Sequence, residues 1–328
     1  MKNGLITRKD LIAAGVVLGA VLLAVTAFIG IRRLPTWSVA AYRAYSRGVD
    51  LDGKNKWKEA QAEYQKAVEL DPAYGLAWLQ LGRMYDHQGV WPKALECYDK
   101  AKVLFQAKRD EKSLSWVWSN IGIVHRREGR YEEAMKCYEE SLAMSRRLGI
   151  EPRVAATLNS IGIVHQSQGR NAEAMKYYDE SLAISRRLGD EQTVAATVDN
   201  IGNVHNSQGR YGEAMKCYEE SLAISRRLGN EPDVAITVNN LGKVHEYQGR
   251  YLEAMKCYEE SLALKRKLGD EPGVPSTLYN MALVHQQRNE PAKALPFARE
   301  AAQLAHRLGF PDAADYDKLV AEIEKAAK

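Results

Sequence analysis

Along most of the chain, apolar side chains recur every three or four residues, in paired stripes separated by short glycine turns. Between Ser115 and Glu128, the side chains Trp118, Ile121 and His125 share one stripe. After Gly129-Arg130, a second stripe carries Tyr131, Ala134, Met135, Tyr138, Leu142 and Ser145. This spacing matches the helical period and predicts a helix–turn–helix unit. Gly149 stops the second helix by taking a left-handed cap, and Pro152 suits the first turn of the next. The stop returns at Gly189, Gly229 and Gly269, and the start at Pro232 and Pro272. Gly122, Gly162, Gly202 and Gly242 stand 40 residues apart. A fixed period of this size predicts a solenoid, because a single helix pair cannot bury both of its apolar faces and stacked pairs can.

Those four glycines lie in mid-helix, where Gly costs about 0.5–1 kcal/mol relative to Ala. They predict a close approach of the second helix, expected opposite Ala134, Ala174, Ala214 and Ala254. The last unit departs from the pattern: Ala282 replaces the glycine and Ala298 the tyrosine. Beyond it, Tyr316, Leu319, Val320 and Ile323 mark one side of a capping helix, as expected where a terminal unit meets water.

A different pattern occupies residues 11–31, which are apolar or small throughout. As a helix, such a run rises about 31 Å, matching a hydrocarbon core of about 30 Å. Basic residues bracket it (Lys2, Arg8 and Lys9; Arg32 and Arg33), and Trp37 and Tyr42 suit an interfacial belt. The run continues past the possible cleavage site at Val25-Thr26-Ala27 to Arg32, which favours a retained single-span anchor over a cleaved signal peptide. Flanking charge hardly separates the two orientations.

The formal net charge of the 328 residues is +4, with the basic excess before residue 60 and a near-neutral solenoid behind it. A nucleic-acid binder would show a basic face, so no nucleic-acid partner is expected. Cys97, Cys137, Cys217 and Cys257 hold equivalent places in their repeats, at least one repeat apart, and Tyr177 fills that place in the repeat between Cys137 and Cys217. That separation exceeds what a disulfide spans. Free thiols lean towards a reducing compartment, hence a solenoid on the cytoplasmic side. His125, His165, His205, His245 and His285 recur at one packing position. They do not converge as metal ligands must. No metal, cofactor or catalytic constellation is expected, and the chain does not read as an enzyme.

The second unit carries Trp78, Leu81, Gly82, Tyr85, Gly89, Ala94, Tyr98 and Ala101; the first carries Ala44, Gly48, Ala60, Tyr64, Ala67 and Pro72. With these residues the chain resembles a tetratricopeptide-repeat protein over residues 41–308. The longer units, with Asn200-Ile-Gly-Asn203 and the SRRLGDE linker, resemble the 40-residue class of LGN/Pins scaffolds and kinesin light chains. The resemblance implies that the first helix of each pair lines an inner groove and the second faces outward. The acidic pairs (Glu139-Glu140, Glu219-Glu220) and basic pairs (Arg146-Arg147, Arg226-Arg227) of the second helices then form a solvated face, with ion pairs worth about 0–1 kcal/mol each.

On the first helices, Asn120, Ser160, Asn200, Asn240 and Asn280 precede the Ile/Leu/Met-Gly/Ala pair; Ser119, Asn159, Asp199, Asn239 and Tyr279 come one residue earlier. An asparagine both donates and accepts, so it can hold the main chain of a peptide. The resemblance implies that role for Asn120, Asn200, Asn240 and Asn280, with Asn159, Asn203, Asn239 and Lys243 beside them. The same side chains are equally suited to bridging neighbouring helices. Groove positions one turn on vary (Arg126, Gln166, Asn206, Glu246, Gln286), as a sequence-reading surface requires. The chaperone-tail carboxylate clamp of some relatives is not expected, since Asn159 and Asp199 stand where it needs Lys or Arg.

The expected fold is therefore all-α: a flank over residues 1–10, a transmembrane helix over 11–31, and a linker over 32–40. A superhelical tetratricopeptide solenoid of about seven pairs follows over 41–308, then a cap over 309–328. The expected function is a membrane-anchored scaffold that binds a peptide or partner protein in its groove. The alternative is an assembly or self-association module, with a homo-oligomer as the product of self-association, that uses the outer face or the chain end.

Overall fold

The computed structural model describes residues 36–310 and 312–327. Among them are fifteen α-helices and no strand. The pairs are α1 (Thr36–Asp52) with α2 (Trp57–Leu70), α3 (Gly75–His87) with α4 (Trp91–Ala107), and α5 (Glu111–Arg127) with α6 (Tyr131–Arg147). Next come α7 (Glu151–Ser167) with α8 (Asn171–Leu188), α9 (Glu191–Ser207) with α10 (Tyr211–Leu228), and α11 (Glu231–Tyr247) with α12 (Tyr251–Leu268). A 3-10 turn over Glu271–Gly273 leads into α13 (Val274–Gln287), which pairs with α14 (Pro291–Leu308); α15 (Ala313–Ala326) ends the array. Helix α1 begins inside the stretch expected as a linker.

The fold is an all-α repeat solenoid, and the expectation of a transmembrane helix in front of it is corrected. No helix of the described residues is long and apolar enough to cross a membrane. The predicted span, residues 11–31, lies outside the described residues, and the fold class rests on the helix pairs alone.

Two compact units contain these helices, one ending at Tyr74 and one beginning at Gly75. In the first, α1 packs on α2 through Ala41, Ala44, Ala60, Tyr64 and Ala67, all fully buried. Arg47 and Glu63 pair at 2.7 Å on its surface. In the second unit, consecutive helices from α3 to α15 pack on one another. We call the first helix of each pair A and the second B. Successive A helices from α3 to α13 also touch one another directly, whereas successive B helices have no comparable contact. Within this unit the A helices therefore lie on the inside of the curve.

The mid-helix glycines are explained, though not by the expected alanines. A Cβ on Gly162 would lie 2.5 Å from Cε1 of Tyr178, and one on Gly122 2.6 Å from Cε1 of Tyr138. The same contact is made by Gly82 with Tyr98, Gly242 with Tyr258 and, in the first unit, Gly48 with Tyr64. Each tyrosine ring is fully buried. On its far side the B helix meets the next A helix: Ala134 and Tyr138 cluster with Ile161 and Val164, and Ala174 and Tyr178 with Ile201 and Val204. One ring thus locks three helices. In the last pair both partners are exchanged together. Ala282 and Ala298 leave room that Leu319 and Ile323 of α15 help to fill, and these four cluster with Ala294.

Polar groups join the repeats as well. Ser141 donates to the carbonyl of Ser115 at 2.9 Å and lies 3.3 Å from Thr157; Ser181 repeats this with Ala155 and Thr197. Outside, Arg146 pairs with Glu180, Arg186 with Glu220 and Arg226 with Glu260, B helix to next B helix. Arg187 and Arg227 reach back to Glu151 and Glu191 at the start of their own repeat. These pairs are more than a third exposed on both sides and contribute little each.

Candidate functional site

The inner face of the second unit is built from A helices set side by side, and three asparagines stitch them. Asn200 donates to Oδ1 of Asn159 at 3.0 Å, Asn240 to Oδ2 of Asp199 at 2.9 Å, and Asn280 to Oδ1 of Asn239 at 3.4 Å. Each bond reaches back one repeat and one residue. Of the two roles open to these side chains, bridging neighbouring helices is the one the hydrogen bonds display. The row runs out towards α5. The residue one step back from Asn120 is Leu79, and Asn120 donates instead to its own helix, to the carbonyl of Trp116 at 2.7 Å. Ser160 likewise donates to the carbonyl of Ala156.

Burial divides the predicted residues. Asn239, Asn240 and Asn280 are buried, whereas Asn120, Asn159, Asn200, Asn203 and Lys243 are partly exposed. Asn203 donates to Asp199 at 3.3 Å and accepts the Tyr218 hydroxyl at 2.8 Å. The tyrosine locks thus reach through to the inner face: Tyr178 donates to Gln166 and Tyr258 to Glu246, each at 2.7 Å. Glu246 also accepts from Gln287 at 2.9 Å.

Asp199 is the centre of this network. Burial pushes its carboxyl up to about 6, against hydrogen bonds from Thr237, Asn240 and Asn203. Burial holds the Lys243 ammonium below its ordinary range, with Glu246 and Asp199 acting the other way. Burial raises Glu246 and Asp233.

The sequence reasoning passed over a pair on α5 and α7. The Arg153 guanidinium sits 4.2 Å over the ring of Trp116, whose side is still 37% exposed. The signal was present: at the place of Arg153 the other repeats carry Ser113, Thr193, Asp233 and Gly273.

The recurrent histidines pack. His165 stacks on Tyr177 and His285 on Phe297, with ring centroids 5.1 and 5.7 Å apart. Burial lowers the pKa of His125, His165, His205 and His245. No group of three or more His, Cys, Asp or Glu among the described residues could hold a metal ion. The four cysteines are free thiols.

The tetratricopeptide-repeat family model matches residues 74–147, 153–227, 192–267 and 233–307, more than half of the chain. The chain belongs to the tetratricopeptide-repeat family. No curated protein matches it by sequence. Among solved structures, this tetratricopeptide solenoid is similar to a Rap protein complexed with competence and sporulation factor. The two share 16% identity with a TM-score of 0.69, over 85% of this chain and 79% of that one. It is also similar to the Rap conjugation gene regulator of plasmid pLS20 in complex with the Phr* peptide, at 17% identity and TM-score 0.69, over 84% and 76%. The Cut9-Hcn1 hetero-tetramer matches at 17% identity and TM-score 0.57, covering 91% of this chain and 50% of that one. At these identities the likeness is one of fold.

Proposed function

We propose that the chain is a protein-interaction scaffold that takes up a peptide, or an exposed segment of a partner protein, along the inner face of its A helices. One observation carries this reading. The frame of that face repeats from pair to pair, while the partly exposed side chains on it differ: Trp116, Arg153, Asn203, Ile236 and Lys243. A constant frame with varied contacts is the arrangement a sequence-selective groove needs, and stacked repeats commonly present such extended concave surfaces. That two similarly folded Rap proteins were solved with a factor or peptide bound supports the same use of the fold here. On the outer face the arginines at the ends of the B helices are engaged within the chain.

Within the groove, Asn120, Asn200, Asn203 and Lys243 are proposed as ligand contacts. Asn159, Asn239, Asn240 and Asn280 are proposed to act by holding the A helices in register. The test is a binding measurement between the full chain and its partner, with Asn203 and Lys243 changed together to Ala. Asn203 also bonds Asp199 and Tyr218, so the thermal midpoint should drop as well; affinity should fall at a temperature where circular dichroism shows the variant still folded. Unchanged affinity would remove the inner face from the account.

A further inference from the structure

Charge compensation differs between the two faces of the second unit. On the outer face the basic residues at the ends of the B helices have carboxylate partners: Arg147 with Glu111, Arg187 with Glu151, Arg227 with Glu191 and Lys267 with Glu231. On the A helices Asp86 is paired with the Arg127 guanidinium at 2.8 Å, and two further carboxylates are served by neutral donors. Asp199 takes the Asn240 and Asn203 amides, and Asp233 takes the Asn230 amide at 2.6 Å. Arg153 has neither arrangement. Its guanidinium lies on the Trp116 ring, its Nε is buried with no hydrogen-bond partner, and no carboxylate pairs with it among the described residues. Burial is the one influence on its pKa, which falls to about 10.

A guanidinium still carries its charge at neutral pH under these conditions. Stacking on an indole holds it in place but satisfies none of its in-plane N–H donors, which form a fork suited to an oxyanion. Trp116 lies one helical turn before Asn120, so the indole and the asparagine share one stripe of α5, with Arg153 reaching the indole from α7. The partly exposed indole offers apolar surface next to the charge.

We propose that Trp116 and Arg153 form the anchoring subsite for a carboxylate of the bound segment, an acidic side chain or the C-terminus, next to an apolar residue that lies on the indole. This rests on the reading of the inner face as the binding groove. It differs in position from the chaperone-tail clamp, which would use the places of Asn159 and Asp199. Arg153 supplies direction and charge, and the variable positions further along supply the remaining selectivity.

The test is selection of a display library of random short peptides on the full chain, followed by affinity measurement of a selected peptide. The expected pool is enriched in Asp and Glu. Replacing the acidic residue of the peptide by its amide, or amidating the C-terminus where that is the anchor, should weaken binding about tenfold, the scale of one charge-assisted hydrogen bond. The peptide change needs no protein variant, so it stands even if Arg153→Gln fails to fold. Arg153→Gln should give the same loss, Arg153→Lys a smaller one, and Arg187→Gln on the outer face none. A pool rich in Lys and Arg would overturn the proposal, as would affinity indifferent to the carboxylate or to Arg153. Stronger competition by inorganic phosphate than by acetate at constant ionic strength would reassign the subsite to a phosphoryl group and overturn it too. If peptides bind and depend on Asn203 and Lys243 but not on Arg153, this subsite fails and the groove survives. If no peptide is retained, both fail.

Discussion

Gly162→Ala tests the lock that recurs in every helix pair before the last. The added Cβ would sit 2.5 Å from Cε1, 2.7 Å from Cδ1 and 3.0 Å from Cζ of Tyr178. That ring is fully buried and its hydroxyl is held by Gln166 at 2.7 Å, so it cannot swing aside cheaply. Overpacking of this kind costs about 1–3 kcal/mol. The same substitution gains about 1 kcal/mol of helix propensity. The expected net effect in the parent is a loss of up to about 2 kcal/mol. In a Tyr178→Ala background the clash is gone and only the propensity gain remains, so Gly162→Ala should then stabilise by about 0.5–1 kcal/mol. The double exchange recreates the Ala282/Ala298 pair that the last repeat already carries. The assay is urea unfolding of the full chain for parent, both single variants and the double. The sign of the Gly162→Ala effect must reverse between backgrounds. An equal loss in both would show that the glycine is required for some reason other than the tyrosine ring.

Three further outcomes follow from the inner and outer faces. Asn240→Ala removes an amide donor from buried Asp199 and should cost about 1–3 kcal/mol, read as a shift in the urea midpoint; a neutral result would remove the stitch from the stability account. Asp199 titrates higher in the folded chain than its ordinary 3.8, so the folded state binds the proton more tightly. Its contribution to stability should therefore decline as pH rises from about 4 to about 6, by on the order of 2–3 kcal/mol, and Asp199→Asn should flatten that part of the stability–pH profile. Breaking one outer pair with Arg186→Gln should change stability by less than about 0.5 kcal/mol, because both partners are well exposed.

The repeat architecture was legible because it is periodic. Stripes, glycine stops and prolines placed the helix pairs without any contact being known. Contacts between helices were less legible. Ala134 and Tyr138 lie four residues apart on one stripe, and spacing alone does not say which of them stands nearest Gly122; the ring of Tyr138 does. The asparagine row was found, but its partners were not. The bond from Asn240 to Asp199 spans 41 residues and exists only once adjacent A helices are stacked with their register fixed. Two readings of one residue type were open, and burial of Asn239, Asn240 and Asn280 separated these three from the partly exposed Asn120, Asn200 and Asn203. Arg153 and Trp116 were passed over because they break the repeat consensus at two different positions and meet only across α5 and α7.

The central claim is that a partner segment lies along the A helices. Its most direct measurement is site-specific photocrosslinking of the full chain in its native extract. One preparation carries the photoreactive residue at Asn203 on the inner face, another at the exposed Glu219 on α10. The account predicts a discrete crosslinked partner from position 203, lost when Lys243 is changed to Ala, and no such product from position 219. The same product from 219 with none from 203 would contradict it.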